Sequence, residues 1–389
     1  MRVKLNKAVK MFFGNSSLEM VYFEAIANAL DADATKINIE ISINSSSQPE
    51  TLRIKIEDNG AGFTDDRFKK FCNLFDVDET SHKGLGRLVY LHYFENVNVL
   101  SIFNETSKRE FIFTEDFGED DYTIDSIEKA ENGTTLMMSN YILSKIAKHE
   151  YIQVKYLKNR ILEEFYSRLY LLKKAKKEIN ISIKSTIEGY EASELLSTDD
   201  MLELEEVKLD KSLSLIDTFT LYYSIEEVIN EPPSIITAIS VDNRTQKIDI
   251  ISPENLPMGY KMVFLLYSDW FIGKVDATRQ VLTISDHEKQ SVQKIFREKV
   301  ATLINEKIPK IVERNKETKE ILTNNFPHLS GYFNEDDIGY ISQNEVLKKA
   351  QDKFFTAQRK ILGANKLSEE QYEEAIELSA RALTEYILF

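Results

Sequence analysis

The spacing of hydrophobic and polar residues changes repeatedly along the chain, and each change marks an element. Around residues 23–35 the apolar positions Val21, Ile26, Ala27 and Leu30 recur at helical spacing and predict a helix with one packed face. Strict alternation over 36–43 and again over 52–57 predicts two half-buried strands, joined through the polar turn 44–50 as a hairpin. An apolar helix is expected over 87–94, strands over 97–103, 109–114 and 133–138, and an acidic loop over 115–132. Helical periodicity returns at 151–177 and closes on Lys173, Lys174, Lys176 and Lys177, cations that favour a helix C-terminus. A strand at 179–183 ends the first region, and the acidic stretch 193–210 reads as peripheral. Strands follow at 218–223, 235–241, 247–251, 261–267 and 280–284. Helices close the chain over 287–320, broken at Pro309, then 344–361 and 368–389. This order divides the chain into regions 1–212, 213–290 and 291–389.

Composition narrows the class. The 389 residues are 42% hydrophobic, enough for real cores, and the net charge of −15 argues against general wrapping of nucleic acid. Cys72 is the single cysteine, so no disulfide forms within the chain; it lies among Phe68, Phe71 and Phe75 and reads as a small buried apolar residue. No apolar run approaches the roughly 20 residues that span a bilayer, and Met1-Arg2-Val3-Lys4-Leu5 lacks the core of a signal peptide. A cytoplasmic protein is expected. The last helical pattern ends uncapped on Tyr386-Ile387-Leu388-Phe389, so this end is expected either to continue or to be buried against a partner.

Four short motifs carry chemistry. On the first helix, Glu24, Asn28 and Asp31 share one face; the acid can take a proton from water, and an amide oxygen suits Mg²⁺. Asp58-x-Gly60-x-Gly62 ends the second strand, where an anionic acceptor suits an exocyclic amine and the glycines admit a flat base. Lys83-Gly84-Leu85-Gly86 runs into a helix and offers backbone N–H groups and a cation to phosphate. Gly133-Thr134-Thr135 enters a strand with hydroxyls that can support the base-binding carboxylate. Taken singly, the first reads more readily as a solvated stripe, the second equally as a tight turn, and the last two say little.

In order and spacing, over about residues 15–140, the four motifs resemble those of the GHKL family: DNA gyrase B, the heat-shock chaperones, histidine kinases, MutL and MORC-type ATPases. The resemblance implies an α+β protein with a Bergerat-fold ATPase domain, a mixed sheet covered on one face by helices. A ribosomal-protein-like α/β transducer domain and a helical C-terminal segment would follow. It implies ATP and Mg²⁺ as cofactors, Glu24 as general base, Asn28 as the Mg²⁺ ligand and Asp58 as the adenine-reading carboxylate. Asp31 and Ala32 complete the first motif, and Gly60 and Gly62 shape the base pocket. Residues 64–82 would be the lid, with Lys83, Gly84, Leu85 and Gly86 at the phosphates and Thr134 and Thr135 near the adenine.

Glu24 marks the hydrolytic members; all five histidines follow the first motif, which disfavours a kinase with a phospho-accepting histidine ahead of it. Ser240-Val241-Asp242-Asn243-Arg244 resembles the Asn-Gly-Arg-type element of MutL without its glycine. Lys274 and Arg279, in a loop similar to the one bearing the family's sensor lysine, are candidates to reach the γ-phosphate, or are surface bases beside a strand. The resemblance further implies a conformational switch that forms a homodimer through its ATPase domain when the lid, with Phe68, Phe71, Leu74 and Phe75, closes over ATP. Residues 8–13 are expected to pack within their own subunit or to swap across that interface. An effector partner in a MORC-like anti-phage defence assembly is one expectation. A nucleotide-sensing adaptor with little turnover, or a DNA-processing MutL-like protein using 173–177 or 294–310, are the alternatives.

Overall fold

Alternation in the sequence becomes alternation in burial. The computed structural model describes residues 5–73, 85–209, 219–229, 231–241, 244–251, 253–275, 282–325, 338–341 and scattered positions between 346 and 377. In strand β1 (Lys36–Ile43) Ile37, Ile39, Ile41 and Ile43 are buried and the residues between them exposed. Strand β2 (Arg53–Asp58) buries Ile54 and Ile56 in the same way and pairs antiparallel with β1. Both belong to a compact unit made of residues 1–203, 238–247 and 267–284; a second unit holds 204–237, 248–266 and 285–389.

The first unit is built on an eight-stranded sheet. Its other strands are β3 (Phe94–Phe103), β4 (Ser107–Phe113), β5 (Tyr122–Ser126), β6 (Gly133–Tyr141), β7 (Asn180–Ile187) and β8 (Tyr190–Ser197), and the order is β5-β4-β3-β6-β2-β1-β7-β8. Only β1 and β7 run parallel, so the sheet is mixed. Helices α1 (Leu5–Phe13), α2 (Glu19–Asp31), α4 (Leu88–Tyr93) and the long α5 (Val154–Lys174) supply the apolar cover, while α3 (Asp65–Cys72) follows the second motif. The residues expected to pack inward from α2, Val21, Ile26, Ala27 and Leu30, are all buried. Helix α1 lies on α4 with Val9 and Phe13 buried and Met11 exposed.

Two segments differ from the sequence expectation. The acidic stretch 115–132 holds β5, whose five residues are all exposed although Tyr122 and Ile124 alternate with Thr123 and Asp125; backbone pairing to β4 makes it a strand. Residues 193–210, read as peripheral, include the end of β8 and strand β9 (Glu205–Leu209), paired to β7 and to β10 (Phe219–Glu227) respectively. Cys72 is half-buried, and burial pushes its thiol up from the ordinary value.

In the second unit four strands run in the order β11-β13-β10-β9, where β11 is Ser234–Val241 and β13 is Tyr260–Tyr267. Residues 238–241 of β11 belong to the first unit, where they pair with β12 (Arg244–Lys247) as a hairpin. The strand expected over 247–251 is not formed there: the strand is Arg244–Lys247 and residues 248–251 follow it without regular structure. Near 280–284 the described residues show an isolated bridge, Val275 to Leu282. Helix α6 (Asp286–Lys307) opens with a reciprocal cap between Ser285 and Glu288 and buries Val292, Phe296, Val300 and Ile304. Pro309 begins α7 (Pro309–Asn325), at the position where a missing N–H costs nothing. The expected helices at 344–361 and 368–389, the chain end at Phe389, the lid from Leu74 to His82, Lys83, Gly84 and Arg279 lie largely or wholly outside the described residues.

Candidate active site

The described residues of the four motifs come together in the first unit, and their glycines are where the joints close. A Cβ on Gly86 would lie 2.2 Å from the Glu24 carboxylate, so the third motif packs directly on the first. Gly62 has φ +71°, and a Cβ there would meet the Ile102 carbonyl at 2.3 Å. Gly60 approaches Ala32, whose carbonyl accepts from Ala61 N–H at 2.9 Å, and Gly133 approaches the Asp58 carbonyl. Backbone carbonyls lie where a Cβ would stand at Gly60, Gly62 and Gly133, and a side-chain carboxylate does so at Gly86.

Glu24 stands on α2 with its side chain 16% exposed. Its Oε2 accepts from Nη2 of Arg244 at 3.2 Å, and Arg87, 7% exposed, faces it electrostatically. Burial pulls the Arg87 guanidinium down to about 10, with Glu24 opposing that shift. Asn28, one turn on, is exposed; its Nδ2 approaches the Tyr90 hydroxyl at 3.5 Å, which leaves the amide carbonyl oxygen for a hard cation. Burial raises the Tyr90 phenol well above its ordinary value, and the nearby Glu24 adds to this. Among the described residues no group of three or more His, Cys, Asp or Glu could hold a metal. Mg²⁺ at Asn28 would therefore take most of its ligands from phosphate and water, which its chemistry favours.

Asp58 closes β2. Its Oδ1 accepts from Gly60 N–H at 2.8 Å, and Thr134, directly across in β6, offers a second backbone N–H. Burial pushes its carboxyl up to about 6, against those two donors and the charge of Arg67. Ser101, fully buried in β3, ties the surroundings together. Its Oγ accepts from Phe63 N–H at 2.7 Å, donates to the Gly133 carbonyl at 3.1 Å and lies 3.3 Å from Thr134 Oγ1. If Asp58 is to accept from an adenine amine it must be ionised, so affinity should then rise with pH. Adenosine, which has no phosphate to titrate, is expected to bind more weakly as pH falls below about 6, by up to about tenfold per unit. Calorimetric titration from pH 5 to 7.5 checks this; an affinity flat across that window contradicts the assignment.

Other expected residues are placed differently. The Asp31 carboxylate is paired with Arg168 of α5 at 2.8 Å, and its carbonyl accepts from Arg67, so it clasps α2 to its neighbours. Thr135 pairs with Glu57 and Leu100, one position off the Asp58–Thr134 row, which puts it on the opposite face of the sheet. Leu85 is buried beside Gly86, and Lys274 lies over the Trp270 ring at 3.1 Å from its centroid.

The start of the lid segment is anchored. Arg109, 1% exposed, donates to the carbonyls of Phe63 and Thr64 and pairs with Asp65 at the N-terminus of α3. Phe68, Phe103 and Tyr122 surround its guanidinium. Phe71 packs on Phe63, Phe111 and Phe113. Sequence reasoning did not single out Ser101, Arg67, Arg87 or Arg109. Arg244 was visible only as the end of a motif without its glycine.

The family model described as histidine kinase-, DNA gyrase B- and HSP90-like ATPase matches residues 16–141. Among solved structures, the crystal structure of the N-terminal domain of a DNA repair protein is similar, with a TM-score of 0.53 and 16% identity, over 78% of this chain and 98% of that one. At that identity the likeness is one of fold. No curated protein is similar enough in sequence to count as a match. The match covers all four motifs, the mixed sheet carries them, and the glycines bring them to one place: residues 16–141 form a domain of the GHKL-type ATPase family.

Proposed function

We propose that the chain is a Mg²⁺-dependent ATP-binding and ATP-hydrolysing conformational switch. The observation that carries this reading is the convergence of Glu24, Asn28 and Asp58 through the close contacts at Gly60, Gly86 and Gly133. Asp58 accepts from the adenine amine, with Ser101 and Thr134 fixing the wall beside it. Asn28 holds Mg²⁺, which supplies positive charge to the phosphates. Lys83, Gly84, Leu85 and Gly86 take the phosphate end. Glu24 accepts a proton from the attacking water.

The proposal extends to a homodimer through the ATPase domain, with 213–290 as transducer and 291–389 as a helical segment. For its output, the DNA repair domain among similar structures supports a DNA-linked role. Lys173 and Lys177 are paired with Glu203 and Asp33, so a DNA contact would fall on other bases, such as those of 294–310. An effector partner in a defence assembly rests on the family resemblance alone. The test is calorimetric titration with ATP, with and without Mg²⁺, alongside steady-state phosphate release. Mg²⁺-dependent binding with turnover is expected. A folded chain that binds no ATP sinks the proposal, and tight binding without phosphate release replaces it with the adaptor reading.

A further inference from the structure

Arg244 sits in an uncommon place for an arginine. It is 3% exposed, on the hairpin of β11 and β12, and its fork spans two carboxylates on two helices: Glu24 of α2 at 3.2 Å from Nη2, and Glu164 of α5 at 3.9 Å from Nη1. A guanidinium is planar and always charged, so one arginine can hold two acids at a fixed angle, which a lysine cannot do. The hairpin is itself fastened to α5. Ser167 N–H donates to Thr245 Oγ1 at 3.1 Å, and the Ser167 hydroxyl is hydrogen bonded to that of Ser240. Ser167 lies one turn after Glu164 on the same face of α5. Arg244 is thus held from both sides of its own strand pair before it reaches Glu24.

We propose that Arg244 is a positioning residue that fixes the Glu24 carboxylate for proton transfer, and that Glu164 in turn fixes Arg244. The inference rests on the reading of Glu24 as the general base. Arg244 engages Oε2, and the carboxylate lies against Gly86, so two neighbours restrict where it can swing while one oxygen keeps no claim from Arg244. A base displaced by about 1 Å loses on the order of a hundredfold in rate, and a lone Glu24 side chain has rotamers enough to do so. Glu164 is also tuned by its surroundings. Burial pushes its carboxyl up to about 7, opposed by Arg244 and Arg160 and reinforced by Glu19 and Glu163. Its charge, and so its grip on Arg244, depends on the same guanidinium that Glu24 uses.

The test uses the full chain, with kcat and ATP affinity measured separately for Arg244→Gln, Arg244→Lys and Glu164→Gln, and folding checked by thermal melts. Arg244→Gln is expected to lower kcat by roughly 10- to 100-fold while ATP affinity stays within about twofold, because the residue acts on the base and not on the nucleotide. Arg244→Lys should recover part of that loss, and Glu164→Gln should cost less than Arg244→Gln. In the Glu24→Gln background Arg244→Gln should add nothing further, since its effect passes through Glu24. Unchanged kcat in folded Arg244→Gln overturns the proposal, as does a matching loss of ATP affinity, which would place Arg244 on the nucleotide. If Arg244→Gln does not fold, the decision passes to Arg244→Lys and Glu164→Gln: wild-type kcat in both rejects it. Should Glu24→Gln itself retain turnover, the assignment of the base fails; turnover lost there but kept in Arg244→Gln means that only the positioning role fails.

Discussion

Glu24→Gln is expected to lower steady-state phosphate release by about 10²- to 10⁴-fold while ATP still binds. Glutamine keeps the shape of the side chain and an oxygen to accept from Arg244, but it cannot take a proton from water. The structure favours this substitution over Glu24→Ala. Alanine would leave the buried Arg244 Nη2 without its acceptor and open a gap beside it, with only the longer contact to Glu164 remaining, whereas glutamine keeps both the acceptor and the volume. A loss in Glu24→Ala could therefore come from the fold, whereas a loss in Glu24→Gln reports the chemistry. Phosphate release measured beside calorimetric ATP binding separates the two. A folded Glu24→Gln protein that no longer binds ATP would count against the role of base.

Asp58→Asn is expected to weaken ATP by about tenfold to a hundredfold, the worth of a charge-assisted hydrogen bond at roughly 1.5–3 kcal/mol. The site makes the exchange worse than a simple loss of charge. Gly60 N–H and Thr134 N–H both point at the carboxylate. An amide satisfies one and turns its own N–H₂ toward the other or toward the adenine amine. The wild type should already discriminate against GTP, whose base presents a carbonyl where the carboxylate needs a donor. Competition of ATP and GTP for the same site reads both effects. Equal affinities in the wild type would remove the adenine assignment.

Much of the candidate site was legible before any coordinates because each motif is local. Glu24 and Asn28 share a helix face by spacing alone, and Asp58 with its glycines is a strand end followed by a turn. What the motifs do to one another was not legible. Gly86 and Gly133 look like phosphate- and base-binding glycines in sequence, yet a Cβ on either would strike protein, at the Glu24 carboxylate and the Asp58 carbonyl. Ser101 was hidden because a small polar residue inside the alternating strand 97–103 has no periodic signature; its role comes from Phe63, Gly133 and Thr134 across the fold. Asp31 carried the right spacing for the ligand face, but Arg168 of α5 takes its carboxylate. Strand β5 escaped notice because backbone pairing to β4 and contacts of Tyr122 with Phe68 and Arg109 make it, with no buried stripe to read.

The pairing of Arg244 with Glu24 joins residues 220 apart in the chain. On the ribosome, at about 5–20 residues per second, that separation is a delay of roughly 10 to 40 seconds between synthesis of the acid and of its partner. All four motifs have been synthesised by residue 135, long before β11 and β12 exist. A nascent chain therefore carries all four motifs while Glu24 still lacks the Arg244 guanidinium, and the buried contact can form only once the hairpin of β11 and β12 is complete.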